Sequence, residues 1–186
     1  MNSRVFGSEK ALATLACQKL TDDAKPRVLI GGLGMGFTVR SALDELGINA
    51  RIRVAELVPA VVRWNRGVLA HLADNPLDDE RVSVQEGDVA NMIKRGRGAY
   101  SAILLDVDNG PNALTSMDND WLYSIPGLET AHTALKPHGI LGIWSSDQDA
   151  AFAKRLGQAG FDVEEFQVRS RGNKGGHNII WIAERI

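Results

Sequence analysis

Short runs rich in Val, Ile and Leu alternate along most of the chain with longer stretches in which apolar residues recur every three or four positions. The short runs are typical of buried strands, and the longer stretches are typical of helices that pack one face against a sheet. The predicted strands are residues 27–31, 51–56, 81–86, 100–106 and 139–144. The predicted helices are residues 37–46, 58–72, 89–95, 119–135 (with a break near Pro126–Gly127) and 149–159.

The two ends of the chain depart from this alternation. Residues 161–168 and 178–184 are two further predicted strands, and the glycine-rich connection between them indicates an antiparallel β-hairpin. Residues 8–20 predict a helix ahead of the first strand. The pattern as a whole predicts an α/β fold with a Rossmann-like, doubly wound, mostly parallel sheet of seven strands that ends in an antiparallel hairpin.

The composition agrees with one globular domain. A chain of 186 residues, 44% hydrophobic and 24% charged, is long enough to bury a core and is too apolar for a disordered chain. We expect a single catalytic domain over residues 1–186, with 1–26 as an N-terminal helical extension and 27–186 as the Rossmann-like core. The single cysteine, Cys17, excludes an internal disulfide, and we expect it to be a small buried residue.

The charge and hydropathy of the sequence limit the kinds of partner that we expect this protein to bind. A net charge of −2 gives no general electrostatic attraction to nucleic acid, so we expect no nucleic-acid partner. No stretch of the sequence approaches the roughly 20 apolar residues of a membrane-spanning helix. We therefore expect a cytoplasmic protein that acts on a small molecule, and a homodimer is compatible with the sequence.

A glycine-rich segment follows the first predicted strand. It reads Gly31-Gly32-Leu33-Gly34-Met35-Gly36, and the glycines at 32, 34 and 36 allow the backbone to approach a ligand closely at the start of a helix. The dinucleotide motif GxGxxG would require glycine where this chain has Phe37, which disfavours NAD or FAD. The alternative is a structural turn without a ligand.

Two acidic residues follow the next two strands. Glu56 ends the second strand, where a carboxylate accepts hydrogen bonds from the two hydroxyls of a ribose. Asp88 follows the third strand, where it either accepts from an adenine amino group or caps the next helix, and both roles are compatible. A solvated glutamate is the alternative for Glu56. Because the glycine-rich segment contains no lysine, these residues favour an adenosyl-sulfonium ligand over a nucleoside triphosphate.

The fourth strand leads into the segment Asp106-Val107-Asp108-Asn109-Gly110-Pro111. Asp106 and Asp108 are the candidate catalytic residues, because paired carboxylates bind a cationic amine and remove its proton. An alkylammonium with a pKa near 10.4 is almost fully protonated at neutral pH and needs that help before it attacks. The alternative is a turn rich in Asp and Asn without catalytic function.

Several segments together resemble spermidine synthase and related polyamine aminopropyltransferases. They are VLIGGLGMGFTVR, VAELVPAVVRWNR, RVSVQEGDVANMI, YSAILLDVDNGP and LKPHGILGIW, in that order between residues 27 and 145. The resemblance implies the class I S-adenosylmethionine methyltransferase fold and decarboxylated S-adenosylmethionine as co-substrate. It also implies that Glu56 binds the ribose, that Asp88 binds the adenine edge, that Asp106 is the base near the attacking amine, and that Asp108 is a weaker counterpart of a second acid.

The sequence also departs from that family. The family's glycine loop has an aspartate for the aminopropyl ammonium where this chain has Gly34, and the aspartate-rich loop is shorter. We expect the protein to lack the family's N-terminal β-domain and its Tyr-Gln pair, since residues 8–16 precede the glycine-rich segment where the family has that pair. We therefore expect the fold and the co-substrate to carry over better than the acceptor.

The predicted function is a transferase that uses S-adenosylmethionine or its decarboxylated form as co-substrate. The first hypothesis is aminopropyl transfer to a small-molecule amine. The alternatives are an S-adenosylmethionine-dependent methyltransferase with another small acceptor, or a nucleoside-binding module without catalysis. No metal is expected, because the four histidines lack the spacing of metal ligands. Trp64, Trp144 and Trp181 lie on predicted regular elements, and we expect them in the core.

Overall fold

A computed structural model describes residues 6–107, 120–171 and 174–186 of the chain. The strands are β1 Arg27–Gly31, β2 Arg51–Glu56, β3 Val82–Glu86, β4 Tyr100–Leu105, β5 Leu135–Ser145, β6 Phe161–Arg171 and β7 Lys174–Arg185. The α-helices are α1 Gly7–Cys17, α2 Phe37–Glu45, α3 Pro59–Asn65, α4 Val89–Arg95, α5 Asp120–Tyr123, α6 Ile125–Ala134 and α7 Ala150–Gln158. Short 3-10 turns span Gln18–Leu20, Ala70–Ala73 and Pro76–Asp78.

All seven strands belong to one sheet, in the order β3-β2-β1-β4-β5-β7-β6. Strands β1 to β5 pair in parallel, and β7 pairs antiparallel with both β5 and β6. The predicted doubly wound sheet with a C-terminal antiparallel hairpin is confirmed. The strand order reverses at β1, which pairs with β2 on one side and β4 on the other. Sheets of this kind bind ligands beyond the carboxyl ends of the strands at such a reversal.

Helices cover both faces of the sheet, and the alternation of side chains along β1 explains why. Leu29 packs into the cluster formed with α4, α6 and α7, whereas Val28 and Ile30 pack into the cluster formed with α1 and α2. Leu29 and Ile30 are fully buried, and burying such a side chain is worth about 1.5–3 kcal/mol. A strand buried on both faces requires a continuous apolar run, which this segment has.

The helix predicted over residues 58–72 is wrong in its length. Helix α3 ends at Asn65, and the backbone N–H groups of Gly67 and Leu69 both donate to the carbonyl of Trp64. Glycine is a poor helix former, and Gly67 lies two residues beyond the end of the helix. The prediction that Trp64 lies in the core is also wrong, because 52% of its surface is exposed.

The predicted break near Pro126–Gly127 lies slightly earlier, at Ser124. The Ser124 hydroxyl accepts from the Gly127 N–H as a helix cap, and Pro126 occupies the first turn of α6, where a missing N–H costs little. A Cβ on Gly127 would lie 1.9 Å from the carbonyl oxygen of Trp121, so only glycine fits there. The proline begins the second helix here instead of ending the first.

The remaining predictions concern the hairpin and single residues. Both hairpin strands are longer than predicted and reach Arg171 and Lys174. Trp181 is fully buried, as expected, and its indole N–H donates to Glu165. Cys17 is buried as expected, and this burial raises the pKa of its thiol to about 12. Within the described ranges, no helix is long and apolar enough to cross a bilayer.

Candidate active site

A cavity of about 470 Å³ opens where the parallel strands end. Its walls come from the segments that directly follow β1, β2, β3 and β4, together with part of α3 and the turn after it. Of the residues singled out in the sequence, Gly32, Gly34, Glu56, Asp88 and Asp106 line this cavity. The sheet topology therefore brings together side chains that are far apart in the sequence. Gly36 does not line the cavity, and Asp108 lies outside the described residues.

The glycine-rich segment runs close to the end of β4. Gly32 has a φ of +87°, and a Cβ on it would lie 2.4 Å from the carbonyl oxygen of Asp106. Gly34 also has a positive φ, of +54°. Gly36, with a φ of +85°, precedes the first residue of α2, and its N–H donates to the carbonyl of Leu33. The segment thus needs glycine both for its turn and for its close approach to β4.

Glu56 connects the end of β2 to the glycine-rich segment. Its side chain is only 7% exposed, and its Oε2 accepts from the Leu33 N–H at 2.9 Å while its Oε1 accepts from the Val58 N–H at 2.8 Å. Each carboxylate oxygen has two acceptor positions, so each keeps one for a ligand in the cavity. Glu56 is therefore buried and ordered, which excludes the alternative of a solvated strand-end residue.

Asp88 caps a helix, which is one of its two predicted roles, and it also lines the cavity. Its Oδ1 accepts from the Ala90 N–H at 2.8 Å, so it is the N-cap of α4. The same residue lines the cavity, and the preceding Gly87 has open space on the side where a Cβ would lie. The cap bond fixes the carboxylate and uses only one of its two oxygens.

Asp106 lies at the centre of the carboxyl edge of the sheet. Its backbone N–H donates to the carbonyl of Gly31 at 3.0 Å, and its Oδ2 accepts from the Thr38 hydroxyl at 2.7 Å. Burial raises the pKa of Asp106 to about 6; the Thr38 hydrogen bond works against this shift, and the nearby Glu9 carboxylate adds to it. A carboxyl group with such a pKa is a better proton acceptor than an ordinary aspartate.

A second, smaller cavity of about 40 Å³ adjoins the first. It shares Gly34, Met35 and Asp106 with the large cavity. Its other lining residues are Glu9, Leu33, Phe37 and Thr38. Asp106 therefore faces both spaces, one beside the glycine-rich segment and one toward the N-terminal helix.

Sequence reasoning missed four residues of this site: Glu9, Thr38, Trp64 and Asn65. Asn65 is 1% exposed, and its side-chain amide donates to the carbonyls of Gly34 and Val61. It anchors the glycine-rich segment to α3. Thr38 lies two residues beyond the last glycine of that segment, and this position was the available signal. Nothing local in the sequence indicates Glu9, since its helix comes before the first strand.

The described ranges 6–107, 120–171 and 174–186 contain no group of three or more His, Cys, Asp or Glu side chains arranged to bind a metal ion.

Two aromatic residues follow the undescribed residues 108–119. Tyr123 is 5% exposed and donates its hydroxyl to the Val107 carbonyl at 3.2 Å. Lys94 lies 4.1 Å above the ring of Trp121. These aromatic rings therefore pack within the protein.

No protein-family model matches the sequence, and no curated protein is significantly similar to it. Several solved structures, however, are similar to the structure of this chain. Spermidine synthase from Thermotoga maritima superimposes with a TM-score of 0.78 at 18% sequence identity, over 97% of this chain and 60% of that one. A spermidine synthase in complex with the transition state analogue AdoDATO gives 0.77 at 18% identity, over 97% and 59%.

An O-methyltransferase from Bacillus cereus in complex with SAH gives a TM-score of 0.66 at 15% identity, over 95% of this chain and 80% of that one. This chain has a class I methyltransferase fold. The fold expected from the sequence resemblance is thereby confirmed. The chain spans about 60% of the length of the two spermidine synthase chains that it matches.

Proposed function

We propose that this protein is a transferase that binds decarboxylated S-adenosylmethionine and transfers its aminopropyl group to a small-molecule amine. The observation that carries the proposal is the charge of the two adjoining cavities. Their described lining contains four carboxylates, those of Glu9, Glu56, Asp88 and Asp106, and no Lys, Arg or His. A site of this kind favours a ligand with positive charge and no carboxylate of its own.

The charge of the co-substrate distinguishes aminopropyl transfer from methyl transfer. S-adenosylmethionine carries a sulfonium, an ammonium and a carboxylate, whereas the decarboxylated form carries the two cations alone. A carboxylate about 5 Å from another is repelled by about 3 kcal/mol at an effective dielectric constant of about 20. The acidic lining therefore disfavours S-adenosylmethionine relative to its decarboxylated form.

The arrangement of the lining suits an adenosyl group. In the proposed complex Glu56 accepts from the ribose hydroxyls with its free acceptor positions, and the unused oxygen of Asp88 accepts from the adenine amino group. The backbone at Gly32 and Gly34 passes close to the sulfonium, because neither residue has a side chain. Similar structures whose names include AdoDATO and SAH support a ligand of this class.

The proposed reaction is an in-line displacement at carbon. The neutral amine attacks the methylene carbon bound to the sulfonium, a C–N bond forms, and the C–S bond breaks with its electron pair going to sulfur. The products are the alkylated amine and neutral 5′-methylthioadenosine, and Asp106 accepts the proton that the amine loses. Burial raises the pKa of Asp106 to about 6, which narrows the gap to an alkylammonium near 10.4. Asp108, which lies outside the described residues, is proposed as a second acid in this reaction.

Ligand-induced thermal stabilisation tests the proposal, since only a ligand that binds the folded state raises its stability. We expect decarboxylated S-adenosylmethionine to raise the melting temperature more than equal concentrations of S-adenosylmethionine or NAD. Release of 5′-methylthioadenosine in the presence of a diamine then reports turnover. A larger shift with S-adenosylmethionine would instead favour a methyltransferase, and a shift with NAD alone would overturn the nucleoside assignment.

The methyltransferase alternative rests on a specific observation. Gly34 lines the cavity and has no side chain, so this position contributes no acidic group that would repel a carboxylate of the co-substrate. Stabilisation by decarboxylated S-adenosylmethionine without release of 5′-methylthioadenosine, over a panel of amines, would favour the third alternative, a nucleoside-binding module.

A further inference from the structure

Glu9 enters the site from a helix that precedes the sheet in the sequence. It lies in the first turn of α1, which packs against α2 through a hydrogen bond between the hydroxyls of Thr14 and Ser41 at 3.0 Å. At the start of the helix, the rings of Phe6 and Phe37 stack with their centroids 4.3 Å apart. Glu9 is thus presented by an anchored helix and not by a free chain end.

Glu9, Asp106 and Thr38 all line the smaller cavity. Its volume of about 40 Å³ exceeds the roughly 10–15 Å³ that a cavity needs to hold one water molecule, so it has room for a group as small as an ammonium. The cavity adjoins the larger one at Gly34 and Met35, which line both.

Neither carboxylate has a cationic partner among residues 6–107, 120–171 and 174–186. The side chain of Glu9 accepts from the Ser8 hydroxyl at 2.8 Å, and that of Asp106 accepts from Thr38. The adjacent Lys10 lies over the ring of Phe6, 4.8 Å from its centroid. Two carboxylates that line one small space without a counter-ion repel each other, and a bound cation offsets that repulsion.

We propose that Glu9 and Asp106 together bind one protonated amine in the smaller cavity, and that Glu9 is the residue that makes the site specific for a cation. An ammonium has three N–H groups, enough to donate to both carboxylates at once. This inference rests on the proposed function, in which two groups have this chemistry: the aminopropyl ammonium of the co-substrate and the acceptor amine. Glu9 also contributes to the raised pKa of Asp106, after burial, as expected for two carboxylates that face one space.

The test compares Glu9→Gln with Glu45→Gln in the full chain. Both variants remove one carboxylate and keep the shape of the side chain, but Glu45 is exposed at the end of α2 and lines neither cavity. Binding of decarboxylated S-adenosylmethionine and of 5′-methylthioadenosine, which lacks the aminopropyl ammonium, is measured by calorimetry. Binding of 1,4-diaminobutane is measured in the presence of saturating 5′-methylthioadenosine.

If the cavity takes the ammonium of the co-substrate, Glu9→Gln weakens decarboxylated S-adenosylmethionine about ten- to hundredfold, the loss of one charged hydrogen bond, and leaves 5′-methylthioadenosine unchanged. If it takes the acceptor, the same loss falls on 1,4-diaminobutane. Either result supports the inference, and Glu9→Asp, which keeps the charge, should restore part of the affinity. Equal behaviour of the Glu9→Gln and Glu45→Gln variants with all three ligands would overturn it.

Failure of this inference and failure of the proposed function give different results. Normal release of 5′-methylthioadenosine by Glu9→Gln, with an unchanged KM for the amine and unchanged binding of the co-substrate, would refute the role of Glu9 and leave the transferase intact. Loss of amine-dependent binding in Glu9→Gln, in a protein that releases no 5′-methylthioadenosine with any amine, would support the cation site and refute the transferase. A wild-type protein that binds neither decarboxylated S-adenosylmethionine nor 1,4-diaminobutane would overturn both.

Discussion

Replacing Asp106 by Asn should make the protein more stable at neutral pH while it abolishes turnover. Asp106 has its pKa raised from 3.8 to about 6, chiefly by burial. A carboxyl group whose pKa is higher in the folded than in the unfolded state contributes most stability below the unfolded value and loses it as the pH rises through the folded value. The charged form of Asp106 is therefore a cost to the folded protein above about pH 6.

The size of this cost follows from the shift. A shift of about 2 units corresponds to at most about 3 kcal/mol at full ionisation, since each unit is worth about 1.4 kcal/mol. Asn removes the charge and keeps an oxygen that accepts from the Thr38 hydroxyl. We expect Asp106→Asn to unfold with nearly the same free energy as the wild type at pH 4, and to be more stable by about 1–3 kcal/mol at pH 8.

Urea unfolding at pH 4, 6 and 8, followed by circular dichroism, measures the difference. Glu45→Gln is the matched control, since it removes an exposed carboxylate from the same protein. The reasoning fails if Asp106→Asn is less stable than the wild type at pH 8, or if the difference between the two does not change with pH. In the same variant, release of 5′-methylthioadenosine during turnover should be lost, while 5′-methylthioadenosine added as a ligand, which lacks the ammonium, should still bind in the larger cavity.

Three further predictions concern the larger cavity. Gly32→Ala should destabilise the protein by about 1–3 kcal/mol in urea unfolding, because a Cβ there would lie 2.4 Å from the Asp106 carbonyl at a positive φ; Gly47→Ala, which has open space, is the control. Glu56→Gln should weaken binding of 5′-methylthioadenosine at least tenfold in calorimetry, since the amide offers one acceptor oxygen instead of two; unchanged affinity would contradict the ribose assignment. Trp64→Phe should abolish most of the change in tryptophan fluorescence on ligand binding, since Trp64 is half exposed on the cavity wall; a retained signal would place the ligand elsewhere.

The fold was largely predictable because its signals are local. Strand β1 is a continuous apolar run, as a strand buried on both faces must be, and its end was visible at Gly31. The predictions of helix length and side-chain burial were wrong where tertiary packing overrode the local hydrophobic pattern. Helix α3 looked longer because apolar residues continue beyond Asn65, whereas the chain turns away at Gly67. Trp64 was expected in the core because it lies on a predicted helix, but it is half exposed and lies on the wall of a cavity.

The sequence by itself determined the succession of strands and helices along the chain. It also identified the glycine-rich segment and the carboxylates of Glu56, Asp88 and Asp106 as candidate site residues. Both follow from hydrophobic periodicity and strand ends, which are recognised over a few residues. Only the tertiary structure decided what surrounds them. The Asn65 amide binds the carbonyl of Gly34, and Glu9 and Asp106 line one small cavity, although the elements that carry these residues are distant in the chain. No local sequence pattern specifies these contacts between distant residues, since they depend on how α1 and α3 pack against the sheet.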